Sequence, residues 1–404
     1  MRFRTMTSVR GRVGMTLAAA LMAASAIGRP AFAAEPAPAA FRIAAVVGLS
    51  GPLAVIGADM RRGVELALDE RGRSINGVPI EITWDDSEGK PQVTVQKAAG
   101  RIAGGAHMVF GEISSPATSA LSGLTEQRGV PLLITFAADN ALTAPGRLHW
   151  SFRTGKNVDA TVGVTAGFAE RNKIRRVFGV TPDYDAARGS WTVFKAMAAA
   201  RGIEIVGEEF HPTPARDFSI TLDKAVRSGA DALYFISQGN DAITLLKQAN
   251  EIGLKDRMKL LAPGGVDESV LRAVGAAGVG VGSSMRYHWS EDFPANKDFV
   301  ARYRAKYNEV PSANAGDAYD GMRWWLRVVA DTKSWDKKDW VAAMAGSVIE
   351  DSVEGRKVMG ACDHQARQIA IAGVGVENTA PDLPRYGMVV TDVMQPDRIY
   401  TPCP

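Results

Sequence analysis

Residues 41–70 read FRIAAVVGLSGPLAVIGADMRRGVELALDE, and this stretch decides the fold class. The apolar run FRIAAVVGL is typical of a strand that is buried on both faces of a parallel sheet. Ser50, Gly51 and Pro52 then turn the chain, and from Gly57 onward apolar residues recur at helical spacing. A strand that feeds a helix through a tight loop begins a βαβ unit. Ligands of open α/β sheets bind at the carboxyl ends of such strands.

The alternation of strand and helix continues in two successive sets. In the first set we predict strands over residues 79–84, 107–110 and 130–135, and helices over 91–102 and 115–128. In the second set we predict strands over 175–180, 203–210, 230–236 and 259–263, and helices over 188–200 and 241–252. The pattern is then helical over 296–307, 313–332 and 338–346, and the C-terminal part reads as short strands and loops. This succession predicts an α/β fold with two lobes, each built on a mostly parallel sheet.

Residues 1–33 have the pattern of a secretory signal. Four arginines precede the apolar stretch Val13–Ile27, and Ala31-Phe32-Ala33 has the form of a cleavage site. The apolar stretch is shorter than the ~20 residues that a membrane span needs. We therefore predict export to the periplasm. Residues 34–40 form a short Pro/Ala linker behind the signal.

The charge balance argues against nucleic acid as a partner. Residues 1–33 carry five arginines and no acidic residue, so removal of this segment lowers the formal charge from +3 to −2. A slightly acidic chain without a Lys/Arg cluster is a poor nucleic-acid binder.

The two cysteines, Cys362 and Cys403, both lie behind the predicted signal. A lone pair of cysteines in an oxidising compartment usually forms a disulfide, and two unpaired thiols are the alternative. Cys362 and His364 are close in sequence, but no second pair completes a zinc site. We predict a disulfide, no metal site and no cofactor.

The segment GEISSPAT (111–118) is the strongest local candidate for a binding site. It follows a predicted strand, and Ser114 and Ser115 stand where the N-cap of the next helix belongs, ahead of Pro116. The free N–H groups and the dipole of a helix N-terminus favour an anion, and two hydroxyls add donors that suit a carboxylate. The alternative is that one serine merely caps the helix.

Several other loops also follow predicted strands, and we expect them to lie with GEISSPAT at a cleft between the two lobes. In the first lobe, TFAADNALT would place the backbone of Ala137 and Ala138 beside the two serines. The second lobe offers Tyr184, Gln238 and the loop APGGVDES (262–269), which contains Gly264 and Asp267. An ordinary connecting loop is the alternative for each, and we expect Tyr287, His288 and Trp289 to be packing residues.

Enzyme motifs are missing from the sequence. It contains no GxSxG, no GK[ST] and no HExxH, and its five histidines show no metal-ligand spacing. GVGVG (278–282) lacks the dinucleotide fingerprint. A serine hydrolase that uses Ser115 and a distant histidine is the competing hypothesis, and we predict a protein that is not an enzyme.

Several of these segments, in this order, resemble the branched-chain amino-acid-binding proteins of ABC transporters, the type I periplasmic binding proteins. The similar segments are GLSGPLAVIGADMRRGVELAL, DDSEGKPQVTVQKAAGRI, GEISSPATSALSGL, AADNALT, LLKQANEIGL, PANKDFVARYRAKY and AYDG. The resemblance covers nearly the whole chain behind the signal.

The resemblance implies two Rossmann-like lobes that close on a ligand about a hinge of three chain crossings. The first lobe would comprise residues 41–154 plus 285–350, and the second would comprise 155–284 plus 351–404. The crossings would fall near Arg153–Lys156, Ser283–Arg286 and Ile349–Val353. The family's carboxylate-binding serine corresponds to Ser114 or Ser115.

The departures from the family pattern concern the ligand's ammonium group. The acidic residue that holds it in amino-acid binders corresponds to Gly264, a lip aromatic corresponds to Ile56, and a tyrosine near Tyr184 corresponds to Ala186. A buried ammonium without a partner is costly, unless Asp267, Asp185 or Asp241 substitutes. ACDHQ (361–365) also resembles relatives that bind aromatic carboxylates or amides. We therefore predict an aromatic or other non-amino-acid carboxylate as the ligand, with branched-chain amino acids or short amides as alternatives.

The family's activity implies the partners. We expect a monomer that delivers its ligand to an ABC permease and associates only peripherally and transiently with the inner membrane. The alternative is a sensory role, in which the closed lobes dock on a membrane receptor.

Overall fold

The computed structural model describes residues 35–146, 149–380, 383–400 and Cys403. The predicted signal, residues 1–33, lies outside the described residues. In the part of the chain that is described, no helix combines the length and the apolarity that a membrane crossing requires.

A six-stranded sheet, counted over the described residues, organises the first lobe, with strand order β2-β3-β1-β4-β5-β6. The antiparallel pair β2–β3 is joined at Asn76 and Gly77, both of which have positive φ, and the other pairs are parallel. The strands are β1 (Phe41–Val47), β2 (Ser74–Ile75), β3 (Val78–Asp86), β4 (Met108–Phe110), β5 (Leu132–Ile134) and β6 (Ser151–Arg153).

Helices cover both faces of this first sheet. On one face α1 packs on α10, and Trp324, Trp325 and Trp340 are buried in the same apolar cluster. On the other face α2 and α3 pack together. The helices are α1 (Ala54–Glu70), α2 (Pro91–Ala103), α3 (Ser115–Arg128), and, from later in the chain, α9 (Pro294–Tyr307), α10 (Ala313–Thr332) and α11 (Lys337–Met344).

A second sheet, of seven strands among the described residues, has the order β16-β15-β11-β10-β9-β7-β8. Its strands β7 to β11 pair in parallel, whereas β15 and β16 form an antiparallel hairpin at one edge. The strands are β7 (Arg176–Pro182), β8 (Glu204–His211), β9 (Ala232–Phe235), β10 (Lys259–Pro263), β11 (Gly282–Met285), β15 (Ala370–Glu377) and β16 (Tyr386–Met394).

Strand β9 shows how the second lobe buries both faces of its sheet. Leu233 and Phe235 belong to one apolar cluster, and Tyr234 belongs to another with Trp191 and Phe194, as the alternation of side chains along a strand requires. The helices are α4 (Val158–Arg171), α5 (Asp185–Ala199), α6 (Ser219–Arg227), α7 (Gly239–Glu251) and α8 (Glu268–Val274). The predicted α/β class with two lobes is confirmed.

The sequence-based element assignments were incomplete in the second lobe. They missed the helices α4, α6 and α8 and the strand β11, and they described the β15–β16 hairpin only as short strands and loops. Helix α4 was missed because most of its residues are buried, so its sequence shows no polar face. By contrast, α3 and α10 have the predicted bounds.

The chain passes between the sheets three times. It leaves the first sheet after β6, returns after β11 to form α9 and α10, and crosses again before β15. A small sheet, made of β12 (Val348–Ile349), β13 (Lys357–Met359) and β14 (Ala366–Arg367), lies along the third passage.

The predicted disulfide is confirmed: Cys362 and Cys403 are bonded, across a sequence separation of 41 residues. It joins the C-terminal segment to the third passage. These two cysteines and Asp363 are also the group nearest to a metal-ligating geometry in the described residues, but a disulfide leaves no thiolate to bind a metal.

One buried ammonium group links all three passages. The Nζ atom of Lys156, on the first passage, donates to the carbonyl oxygen of Arg286 on the second and to the carboxylate of Glu354 on the third. Lys357 lies between Glu354 and Asp320, with Nζ 2.9 Å from Asp320 Oδ2. All four charged side chains of this network are at most 2% exposed.

Removal of the Lys156 charge should destabilise the protein strongly, because Glu354 would keep a buried negative charge with one partner fewer. We expect Lys156→Met to lower the free energy of unfolding by about 3–5 kcal/mol, as measured by urea denaturation. The matched control is Arg356→Ala, which breaks the exposed ion pair of 3.1 Å with Glu350 and should lower it by less than about 1 kcal/mol. Equal losses in the two variants would contradict the assignment.

Candidate functional site

The two lobes meet at the carboxyl ends of their parallel strands. The turn at Gly51–Leu53, behind β1, contacts the start of α7 so closely that a Cβ atom at Gly239 would lie 2.5 Å from the carbonyl oxygen of Pro52. The lobes are therefore closed on each other in this structure.

A cavity of about 20 Å³ remains between the lobes. Its apolar lining includes Val55, Ile56, Phe136 and Ile243, and its polar lining includes Gln238, Asp267, Ser269 and Asn314. This volume is enough for about one water molecule, whereas sites for organic ligands measure about 300–1,000 Å³. An organic ligand can therefore occupy this cavity only when the lobes separate.

The predicted site residues fall into two groups. Gln238, Gly264 and Asp267 line the cavity. The other five, Ser114, Ser115, Ala137, Ala138 and Tyr184, lie outside its lining: the serines and Ala138 are half-buried, Ala137 is buried and Tyr184 is 38% exposed.

The N-terminus of α3 has the geometry that the sequence predicts. Ser114 is the N-cap residue with an extended backbone, its hydroxyl makes no capping hydrogen bond, and a proline occupies the first turn. The N–H groups of Ser115 and Ala117 precede the first intrahelical bond, which runs from the Thr118 N–H to the Ser114 carbonyl. The hydroxyl of Ser114 therefore does not cap the helix.

A buried carboxylate, which the sequence analysis missed, lies beside these serines. Glu112 accepts hydrogen bonds from the Ser87 hydroxyl and from the N–H groups of Ile113 and Ser114, the last at 2.9 Å. Burial raises the pKa of Glu112 to about 7. The sequence could have indicated Glu112, because it is an acidic residue between an apolar strand and the start of a helix. A carboxylate at that position is favoured by the helix dipole.

The loop that follows β5 is held in place by the buried guanidinium group of Arg153. Arg153 donates to the carbonyl oxygens of Ala137 at 3.1 Å and Asp139 at 2.7 Å, to the Thr143 hydroxyl at 2.6 Å and to the side-chain oxygen of Gln365. Burial lowers the pKa of Arg153 to about 10, and the group stays charged at neutral pH. Arg153 thus fixes the loop that contains two predicted site residues.

Asp267 is the acidic residue that the structure brings to the cavity. Its Oδ1 atom caps α8 by accepting from the N–H groups of Ser269 and Val270, and its Oδ2 atom accepts from Asn314 at 3.2 Å. Burial and the neighbouring Glu268 carboxylate raise the pKa of Asp267 to about 6.

The other candidates for an ammonium partner do not line the cavity. Asp241 is buried and accepts from the Ala215 N–H at 3.1 Å, and Asp185 is exposed. Gly264, at the position of the family's acidic residue, has a φ of +66° and faces Thr161. Of Asp267, Asp185 and Asp241, only Asp267 lines the cavity.

The aromatic residues near the second passage are packing residues, as expected. Tyr287 and His288 are buried, and Trp289 packs on the first core. The Tyr287 hydroxyl donates to Asn296 at 2.5 Å, and His288 Nε2 lies 3.0 Å from Glu268 Oε1.

A comparison with protein families shows which family the chain belongs to. Residues 40–375 match the family model for periplasmic binding proteins. The chain belongs to this family. The predicted resemblance is therefore confirmed, and this periplasmic binding protein is the substrate-binding component of an ABC transporter, the class that binds small molecules and works with permease subunits.

Individual relatives agree with this assignment. A Leu/Ile/Val-binding protein homologue of Brucella melitensis is 27% identical over 316 residues, which cover 74% of this chain and 78% of the homologue. The solved structure of an ABC transporter substrate-binding protein from Sphaerobacter thermophilus is 26% identical, with a TM-score of 0.80 over 88% of this chain and 98% of that one.

A third structure, of a solute-binding protein from Rhodopseudomonas palustris in complex with 3,4-dihydroxybenzoic acid, is 24% identical with a TM-score of 0.81. The match covers 89% of this chain and 98% of the chain in that structure. At that identity the likeness concerns the fold.

The raised pKa of Glu112 makes the stability of this periplasmic binding protein depend on pH. A carboxyl whose pKa rises from 4.5 to about 7 on folding stabilises the folded state below pH 4.5 and loses that contribution between pH 4.5 and about 7. Over this range we expect wild type to lose roughly 3 kcal/mol more unfolding free energy than Glu112→Gln. Urea denaturation at several pH values measures the difference.

The control for this experiment is Glu81→Gln, because the side chain of Glu81 is 60% exposed. Its difference from wild type should be flat over the same pH range. A flat difference for Glu112→Gln would show that Glu112 is not buried as described.

Proposed function

We propose that this protein binds a small carboxylate-bearing ligand, preferably an aromatic or other non-amino-acid carboxylate, between its two lobes and delivers it to an ABC permease. In this proposal it works in the periplasm as a monomer, touches the inner membrane only while docked on the permease, and has no catalytic activity.

One observation carries the proposal: the α3 N-terminus offers hydrogen-bond donors that the fold itself does not use. The hydroxyl of Ser114 makes no capping bond, and the N–H groups of Ser115 and Ala117 lie in the first turn, where no intrahelical acceptor is available. Hydroxyl and N–H donors at the positive end of a helix suit a carboxylate.

The proximity of Glu112 sets a condition on this site. Its carboxylate already accepts from the Ile113 and Ser114 N–H groups, so a ligand carboxylate would rely on the serine hydroxyls and on the N–H groups further into the helix. A pKa of about 7 means that Glu112 is protonated in part of the molecules at neutral pH, and a protonated carboxyl does not repel an anionic ligand.

The apolar part of the cavity supports an uncharged, carbon-rich tail. Ile56, Phe136 and Ile243 line it, and the position of the family's acidic residue is the glycine Gly264. The aromatic-acid complex of the structural relative shows that this fold can hold such a ligand in that protein.

The second candidate is a branched-chain amino acid, which the Brucella homologue's name suggests and which the place of Asp267 favours. The carboxylate of Asp267 lines the cavity and could face the ammonium group of such a ligand. Both of its oxygens, however, are engaged in bonds with Ser269, Val270 and Asn314, which is why we rank this ligand second.

The serine assignment is tested by the double substitution Ser114→Ala with Ser115→Ala. A thermal-shift screen of branched-chain amino acids, aromatic carboxylates, short amides and dicarboxylates first identifies the ligand. Loss of the hydroxyl donors should then weaken its binding at least about tenfold, or about 1.4 kcal/mol, without changing the melting temperature of the unliganded protein. Isothermal titration calorimetry measures the change.

The control for the serine experiment is Ser119→Ala, an exposed residue of the same helix, which should bind like wild type. Unchanged affinity in the double variant would remove the carboxylate site from α3.

The two ligand classes are separated by Asp267→Asn, since asparagine can still cap α8. If the ligand lacks an ammonium group, we expect its affinity to change by less than about threefold, which is under 1 kcal/mol. A leucine-induced thermal shift in wild type that disappears in Asp267→Asn would instead establish the amino-acid alternative.

A further inference from the structure

Arg272 is a second-lobe residue that contacts carboxylates of the first lobe. It belongs to α8, and its guanidinium group lies 3.7 Å from Asp59 Oδ2, on α1, and 3.8 Å from Glu309 Oε2, in the segment between α9 and α10. Both ion pairs therefore exist only while the lobes are closed.

Asp59 is a buried carboxylate that the neighbouring cations Arg62 and Arg272 stabilise. Its side chain is 4% exposed, and Oδ2 has no hydrogen-bond partner among the described residues. Burial raises the pKa of Asp59, as expected for a carboxylate removed from water. A cation that approaches from the other lobe therefore lowers the free energy of the closed arrangement.

Arg62 provides an internal comparison within the same cluster. It lies on α1, 3.6 Å from Asp59 Oδ1, and also pairs with Glu309. Arg62 and Arg272 thus contact the same two carboxylates, but only Arg272 joins the two lobes.

We propose that Arg272 is a positioning residue for ligand capture, which holds the lobes closed through its pairs with Asp59 and Glu309. We call these three residues the cross-lobe latch. It acts on closure rather than on the ligand, and it lies outside the lining of the cavity. A residue of this kind changes how long a ligand stays enclosed without contacting it.

The latch must open and re-form in each binding cycle, because the closed cavity of about 20 Å³ admits no organic ligand. Partial exposure suits this role: the side chain of Arg272 is 34% exposed and that of Glu309 is 27% exposed. Ion pairs between partly exposed side chains are weak and weaken further with salt, so they bias closure without locking it.

Pulsed electron paramagnetic resonance on the unliganded, full-length exported protein tests the latch. Spin labels at Gln127→Cys on α3 and Lys247→Cys on α7, both exposed, report the distance between the lobes. We expect Arg272→Ala to shift the distribution toward the longer distance and to lower the ratio of closed to open molecules roughly three- to tenfold. Addition of salt to wild type should produce the same shift.

Arg62→Ala is the matched control, since it leaves Arg272 as the cation that faces Asp59 and Glu309. It should keep the closed fraction of wild type or raise it. Arg272→Lys, which retains the charge, should restore much of the closed fraction, and a melting temperature close to that of wild type would show that each variant is folded.

Three results would overturn the proposal: an Arg272→Ala distribution identical to that of wild type, an equal opening in Arg62→Ala, or a wild type that shows only the longer distance. The experiment contains no ligand, so its failure is distinct from a failure of the proposed carboxylate specificity.

Discussion

The ammonium group of Lys156 is the constraint on which the two-lobed arrangement depends. It bonds to groups on all three passages between the sheets, and Lys357 extends the network to Asp320. Charges this deeply buried are retained at a cost in desolvation and are stable only with every partner in place. The network therefore defines how the three passages lie side by side, and through them how the strand ends of one lobe face those of the other.

The parts of the fold that the sequence predicted are those with a local signal. The strand of residues 41–47 is apolar apart from Arg42, and the helix at 115–128 has a proline at its start and a glycine behind it. Helix α4 gave no such signal, because it is enclosed between the second sheet and α5 and is apolar nearly all round. Its place in the fold is a property of its neighbours.

The site was predicted only as far as single loops allow. The capping position of Ser114 follows from local sequence, but the buried Glu112 becomes visible only when Ser87, from another loop, is placed against it. Arg153 looked like an ordinary residue of a chain crossing, yet it holds the loop of Ala137 through contacts that include Gln365, more than 200 residues away. Long-range polar contacts leave no periodicity in the sequence, and the cross-lobe pairs of Arg272 are of the same kind.

The small volume between the lobes has a consequence for the kinetics of uptake. Because the cavity between the closed lobes has room for about one water molecule, encounters with a ligand that occupies this cavity are productive only during the intervals in which the lobes are apart. At low ligand concentration the observed association rate rises in proportion to concentration. At high concentration it levels off at the rate of lobe opening. The opening motion therefore limits capture when ligand is abundant, whereas at low ligand concentration the rate is that of diffusional encounter multiplied by the fraction of molecules that are open.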